Sequence, residues 1–464
     1  MASDREQPLE NAPLIARVWK SIFPGPVLPT SDRDRKWIVF NTLLLHLRPI
    51  RVPASTIRYT HTFGLGGMSL VLVLLLMGTG ALLMFVYEPS SGGAHGSIAG
   101  LERDVLFGPL VRGVHYWCAN LIVVVVTLHL LRVFLTGAFH APRQFNWIVG
   151  LTLLACVLTS NFTGYLLPWD QRSYWAVTIV TGMVEYVPVV GGWLQRVIRA
   201  GPEIGTSTII NFYTIHTTLV PVLLISFMGL HFWRVRKAGG VVPPERPADR
   251  DGQRPQYVLF LPHLLMREVA VALALFAVVL VLAIVFPAPL GEGANPGMSP
   301  NPAKAPWYFM GFQELLLHFD PLFAVVVIPL IGIAALMFLP YLRYCDPLDG
   351  PWFLSDTGRR AAALALGVGV AITPIWVLLD EFVVDPGAWF PSVSPVLSYG
   401  VLPFVVFVGL AAGFSFVVRR RFGAGDSETV QALFILLLTV FVVFTLTGVW
   451  FRGTGMALTW PWNS

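Results

Sequence analysis

Charge is scarce in this chain. Asp, Glu, Lys and Arg together make up 12% of its 464 residues, against 55% hydrophobic residues. With a mean hydropathy of +0.69, this excludes an ordinary soluble domain and places the chain in a bilayer. Cysteine is scarcer still. The three cysteines (Cys118, Cys156 and Cys345) are scattered, and no CxxC or CxxCH occurs. A disulfide framework, an iron–sulfur site and a c-type haem attachment motif are thereby unsupported. The N-terminus opens on Asp4, Arg5, Glu6 and Glu10, so no secretory signal peptide is expected. The net charge of +5 points to no nucleic-acid partner, because the basic residues gather in loops between apolar runs.

What the chain has in abundance is long apolar runs. Nine are long enough to span: roughly 66–87, 110–136, 147–167, 210–234, 268–287, 322–342, 360–379, 396–418 and 429–451. The expected fold is therefore an all-α integral membrane protein with about nine transmembrane helices, touching lipid around its perimeter. Residues 12–23 carry an apolar stripe (Ile15, Val18, Trp19, Ile22) and predict a helix lying on the membrane surface; residues 37–47 are apolar but too short to cross. Basic residues precede the first span (Arg33, Arg35, Lys36, Arg48, Arg51, Arg58). They also follow the second (Arg132, Arg143), fourth (Arg234, Arg236, Lys237, Arg246), sixth (Arg343, Arg359, Arg360) and eighth (Arg419, Arg420, Arg421). With nine spans all of these fall on one side, which puts the N-terminus in the cytoplasm. The opposite-side connections 168–208 and 288–321 are long and rich in Gly, Pro and aromatics, a composition common in functional loops. Within the first of them, 193–199 reads as interfacial. The polar, proline-rich stretch around 238–263 divides a four-span half from a five-span half.

Four histidines inside spans carry the chemistry. His115 and His129 lie fourteen residues apart on the second span, and His216 and His231 fifteen apart on the fourth. At about 100° and 1.5 Å per residue, each pair stays near one helix face with about 21 Å between its members, close to the thickness of the hydrocarbon core. Histidine within a span is costly and usually functional. Two facing helices with such pairs make two sites for a planar metal cofactor, for which bis-imidazole haem is the natural occupant. Gly66 and Gly80 on the first span, and Gly150 and Gly164 on the third, repeat the fourteen-residue interval. Small residues there let a flat macrocycle or a neighbouring helix approach closely.

Three stretches carry a family resemblance: VRGVHYWCANLIVVVVTLHLLRVFLTGAFHAPR (111–143), TGYLLPWDQRSYWAV (163–177) and FYTIHTTLVPVLLISFMGLHFWRVRKAG (212–239). With them the chain resembles the cytochrome b subunit of cytochrome bc-type quinol oxidoreductase complexes. The fifteen-residue interval is like that of the photosynthetic plastoquinol-type branch, whose split halves are here fused. The resemblance implies two non-covalent b-type haems, the outer held by His115 and His216 and the inner by His129 and His231. It also implies glycine walls at Gly66, Gly80, Gly150 and Gly164 and propionate partners at Arg112 and Arg236. Gly64 stands where the photosynthetic relatives carry a haem-binding cysteine, so no such covalent haem is expected. The implied domains are an amphipathic segment at 1–60, a four-helix dihaem bundle at 61–240 and a polar linker at 241–264. A C-terminal domain with the quinol-site loop follows at 265–395, then two additional transmembrane helices at 396–464.

The implied activity is that of a proton-translocating quinol:cytochrome c reductase. Quinol is oxidised outside, near Trp307, Tyr308 and the loop around Pro168, Trp169 and Gly182. One electron leaves to an iron–sulfur protein, and the other crosses through both haems to a quinone near the inner face. Implied partners are a Rieske-type protein, a c-type cytochrome and quinone, in a dimeric multi-subunit complex of a bacterial cytoplasmic membrane. One motif departs from the family: relatives carry Pro-Glu-Trp-Tyr between the fifth and sixth spans, whereas this chain has Ala305-Pro306-Trp307-Tyr308. Proline takes no proton. Glu314 is the nearest downstream carboxylate, with Asp170, His318 and Asp320 behind it, and burial in an apolar loop is expected to raise its pKa. The competing readings are a dihaem membrane anchor of a quinone-linked dehydrogenase or hydrogenase, which lacks the LPWDQ and WY loops, and a transporter, which predicts an internal repeat that the sequence does not show.

Overall fold

The computed structural model describes residues 12–22, 51–244, 256–259, 263–342 and 350–462. The short apolar run 37–47 lies outside them, as do Arg33, Arg35, Lys36, Arg48, Arg246, Arg343 and Cys345. Among the described residues, nine helices are long and apolar enough to cross a membrane. In order they are Leu65–Met84, Gly108–Leu135, Gln144–Leu166, Thr206–Lys237, Leu265–Val285, Phe323–Tyr341, Asp356–Phe382, Val396–Phe422 and Asp426–Trp450. Their bounds follow the nine apolar runs to within a few residues. Much of their surface is outward-facing Leu, Val, Ile and Phe, such as Leu74, Leu273, Ile284 and Val405, as lipid contact requires.

The first span packs along the second and the third along the fourth, while the second also contacts the third and fifth. Gly113 lets the second span close on the fifth, since a Cβ there would lie 3.2 Å from Ala283. The bundle interior is filled by Leu72, Val114, Cys118, Ile122, Val157, Val220 and Leu224, with Leu275 and Val279 from the fifth span. The surface helix appears as Leu14–Ile22. Its Ser21 hydroxyl bonds Tyr341 (2.9 Å) and its Ile15 and Trp19 are exposed, so the polar side faces protein and the apolar stripe faces out.

The divide after the fourth span holds one feature that periodicity did not suggest. Arg51–Pro53 pairs antiparallel with Tyr257–Leu259, placing Val52 opposite Val258. The linker is therefore tied back to the segment preceding the first span. The long connection 168–208 folds into helices Gln171–Met183 and Gly191–Arg199. Trp193 and Val197 stand exposed on the second of these, in keeping with an interfacial position. The connection 288–321 ends in the helix Met310–His318.

Three spans contain a π-helical turn just before a proline: Ile215–Leu219 before Pro221, Phe323–Val327 before Pro329 and Val396–Val401 before Pro403. Proline has no N–H to close an α-helical bond, and the widened turn accommodates the loss. The first of these turns contains His216 itself. A π turn takes one residue more than an α turn, so it absorbs the difference between the fifteen-residue and fourteen-residue histidine intervals.

Candidate functional site

The four span histidines come together in two pairs. His115 and His216 have ring centroids 6.2 Å apart, and His129 and His231 are 6.4 Å apart. His115 thus faces His216, and His129 faces His231. On the His115, His216 and His231 rings, Nδ1 points back to a neighbouring helix. Nδ1 of His115 lies 2.9 Å from the Thr79 hydroxyl, and Nδ1 of His216 lies 2.9 Å from the Ser160 carbonyl. Such outer bonds fix the ring and leave Nε2 for the partner side. His231 Nδ1 faces the Asn146 backbone without closing a bond of ordinary geometry. Thr79 and Ser160 were not singled out by sequence; each sits on a glycine-bearing helix, next to or one turn from its glycine.

The glycines match the histidines one to one. A Cβ built on Gly80 would lie 3.2 Å from Cε1 of His115, on Gly164 2.5 Å from His216, on Gly66 3.4 Å from His129 and on Gly150 3.7 Å from His231. The small residues thus make room for the imidazole rings themselves. All four histidines are too far from further His, Cys, Asp or Glu to build a metal-binding cluster of three or more among the described residues. The donor set is therefore two imidazoles facing each other, at a separation that leaves space for one metal ion bonded at about 2 Å to each ring. That is the axial ligand set of a six-coordinate haem iron.

The two arginines differ. Nη1 of Arg236 is buried and has no hydrogen-bond partner among the described residues, which suits it to an anionic group such as a propionate. Arg112 is already engaged by the Glu102 carboxylate and by the carbonyls of Ala288 (2.9 Å) and Pro289 (2.6 Å), so it clamps the 94–104 helix to the loop after the fifth span. A propionate would have to share it with Glu102. His61 is buried at 3% exposure. Its Nε2 lies 2.6 Å from the Val242 carbonyl, and Arg132 holds its backbone carbonyl at 3.0 Å.

On the other side of the bundle, the indole of Trp307 donates to Asn120 of the second span (2.8 Å), and Tyr308 packs against the bundle core. Burial, reinforced by Tyr165 and Tyr116, pushes the Tyr308 hydroxyl well above its ordinary value, so it remains a neutral donor. Gln313 staples the loop ahead of Trp307, accepting from Ala305 N (2.7 Å) and donating to Ala303 O (2.9 Å).

Asp170 has both carboxylate oxygens committed. One caps the 171–183 helix through Ser173 N (2.9 Å), and the other accepts from Gly291 N (3.0 Å), joining the two long outer connections. It serves to position that loop. Asp170→Ala is expected to cost about 0.5–2 kcal/mol from the lost cap alone, read as a lowered thermal midpoint. Asp170→Asn, which keeps an acceptor, is expected to melt close to wild type.

Glu314 is fully buried. It accepts three hydrogen bonds from Arg452 (3.1, 3.1 and 2.6 Å) and faces Nε2 of His318 at 3.2 Å. The expectation of a raised pKa is overturned here. Burial alone would push the carboxyl up, but the bonds and charges of His318 and Arg452 outweigh it and hold Glu314 below its ordinary range. His318, also buried, moves the other way. Desolvation would lower it, yet Asp380 and Glu314 together raise it above the ordinary 6.5. Arg452 also binds Glu381 (2.7 Å). The sequence reading missed Arg452, Asp380 and Glu381. A signal for the first existed: Arg452 is an arginine immediately after an uncharged span, on the side where basic residues are otherwise depleted.

Comparison with known proteins agrees with this geometry. The family described as cytochrome b(N-terminal)/b6/petB matches residues 120–293. Cytochrome b6 of Synechococcus sp. (strain WH7803) is 43% identical over 175 residues, covering 38% of this chain and 80% of that protein. Cytochrome b6 of Bigelowiella natans is 42% identical over 175 residues, with 38% and 81% covered. Among solved structures, a chain of a hyperthermophilic respiratory Complex III aligns with a TM-score of 0.60 and 22% identity, covering 83% of this chain and 90% of its own. At that identity the structural likeness speaks for the fold. The chain belongs to the cytochrome b family and is a multi-pass membrane protein that carries b-type haem for electron transfer.

Proposed function

We propose that this chain is the transmembrane dihaem subunit of a quinol–cytochrome c oxidoreductase, working with a Rieske-type protein and a c-type cytochrome in a bacterial cytoplasmic membrane. The observation that carries this reading is the pair of facing imidazoles at each of two depths, every ring seated against its own glycine. When bound, two b-type haems supply one-electron carriers at those depths, which is what coupling an outer quinol to an inner quinone requires. The protein's part is orientation. Thr79 and Ser160 hold the outer ligand rings, and Arg236 offers a free donor at the inner end. Trp307 and Tyr308, braced by Asn120 and Gln313, shape the outer quinol site, and Glu314 provides its acid–base group. The N-terminal surface helix then lies on the cytoplasmic side, residues 61–240 form the haem bundle and 265–395 the quinol-site domain. Release of quinol protons outside and uptake inside store redox energy as a proton gradient.

Reduced-minus-oxidised spectroscopy of the purified chain tests this. Two overlapping b-type bands titrating at different potentials are expected. His216→Leu is expected to remove one and His129→Leu the other; a colourless protein, or a single band untouched by either substitution, overturns the assignment.

A further inference from the structure

Beyond the span histidines, a further cluster of buried titratable groups among the described residues runs outward. Glu314 and His318 sit one turn apart on the Met310–His318 helix, and both side chains are fully buried. Nε2 of His318 faces Glu314 at 3.2 Å, and Nδ1 faces Asp380 at 2.6 Å on the last turn of the seventh span. The Asp380 side chain is 26% exposed. A continuous hydrogen-bonded row therefore leads from a buried carboxylate to the surface. Its plane is fixed by Phe444 of the ninth span, stacked on the His318 ring at 5.3 Å and 25°.

The last span builds this row. Close approach is paid in small residues: a Cβ on Gly448 would strike Met310 at 2.7 Å, one on Gly311 would strike Phe441 and Thr445 at 2.7 Å, and one on Gly369 would strike Thr439 at 2.8 Å. This contact carries Arg452 onto Glu314, where it also grips Glu381. Lys304, ahead of the Trp307–Tyr308 pair, reaches the carbonyl of Val449 on the same span (3.1 Å). Three carboxylates (Glu314, Asp380, Glu381) thus surround one arginine and one imidazole, an excess of negative charge that favours a proton on the ring.

We propose that Glu314, His318 and Asp380 form the proton exit of the outer quinol site, with Arg452 from the ninth span as its positioning residue. This rests on the function proposed above. The acid missing at Pro306 is then replaced by a relay that begins eight residues further along the chain, at Glu314. A quinol hydroxyl gives its proton to Glu314, the O–H electron pair staying on the quinol oxygen. Glu314 passes the proton to Nε2 of His318, forming the imidazolium, and the Nδ1 proton moves to Asp380 and on to outer water. The relay accepts a proton only while the ring is neutral, so the rate of outer quinol oxidation rises with pH through the His318 ionisation.

The intact complex, assayed with decyl-ubiquinol and with menadiol across pH 5.5–9, tests this. Wild type is expected to show a rate that rises through an ionisation above that of free histidine. His318→Gln keeps both haem bands but is expected to lose tenfold or more in rate, with that ionisation gone, in line with removal of a general acid–base group. Asp380→Asn, at the accessible end, guards against misfolding of the buried variant. Removing its carboxylate shifts the pH profile to lower pH and slows the rate several-fold. Wild-type rates and an unshifted profile in both variants overturn the relay while leaving the haem assignment intact. A haem-replete wild-type complex that oxidises neither quinol overturns the relay together with the proposed function.

Discussion

Gly164→Ala is expected to lose most of the haem held between His115 and His216, whereas Gly150→Ala keeps both. The four glycines form a graded series. An added Cβ meets the facing ring at 2.5 Å from Gly164, 3.2 Å from Gly80, 3.4 Å from Gly66 and 3.7 Å from Gly150. The last distance is ordinary van der Waals contact; the first cannot exist. The His216 ring has no easy retreat, because its Nδ1 is held at 2.9 Å by the carbonyl of Ser160, one turn from Gly164 on the same helix. Moving the ring breaks that bond and misdirects Nε2. Overpacking of this kind costs about 1–3 kcal/mol, and at about 1.4 kcal/mol per decade that weakens haem retention by roughly tenfold to a hundredfold. Haem-to-protein ratios and difference spectra of the four alanine variants check this. Equal haem content across the series would sink the idea that the glycines seat the rings.

The fold was legible because membrane helices announce themselves by length and hydropathy, and interhelical pairing of the histidines followed once chain alternation gave each span a direction. The four glycines were legible too, but as walls for a macrocycle; the structure shows them making room for imidazole, a distinction of a few ångströms that spacing cannot carry. The π turn at His216 was half visible. The sequence shows an interval one residue too long and Pro221 shortly after, yet only the backbone shows that the first is absorbed ahead of the second. The pairing of Val52 with Val258 was hidden, since three-residue strands in polar segments leave no periodicity to read. The outer site was the least legible. Glu314 could be named from its position, but its electrostatics depend on Arg452, 138 residues away, and on Asp380 and Glu381 at the end of the seventh span. Desolvation reasoning on one carboxylate gave the wrong sign because its counter-charges come from elements far off in sequence.

That dependence makes Arg452 the residue whose loss should be felt most in stability. Arg452→Met removes the charge and three hydrogen bonds from a fully buried Glu314 and leaves Glu381 without the Arg452 cation. Breaking a buried pair on one side costs about 3–5 kcal/mol, because the remaining charge is stranded. The double variant Arg452→Met/Glu314→Gln, in which the stranded Glu314 carboxylate is replaced by a neutral amide, is expected to recover much of the loss. Direction with pH follows from the two shifts. Glu314 is held below its ordinary 4.5, so its contribution is present above that pH and fades as pH falls through the folded value. His318 is raised above 6.5, so its contribution is complete below 6.5 and fades as pH rises through the folded value. Both are fully present between 4.5 and 6.5. Because protonated His318 still answers Glu314 in the variant, the gap between wild type and Arg452→Met in denaturant or thermal unfolding should persist as pH rises past 6.5 and narrow on the acid side as Glu314 takes a proton. If the single variant unfolds with wild type throughout, the buried network contributes nothing net. The ninth span would then be held to the Met310–His318 helix by its close contacts at Gly448 and Gly311.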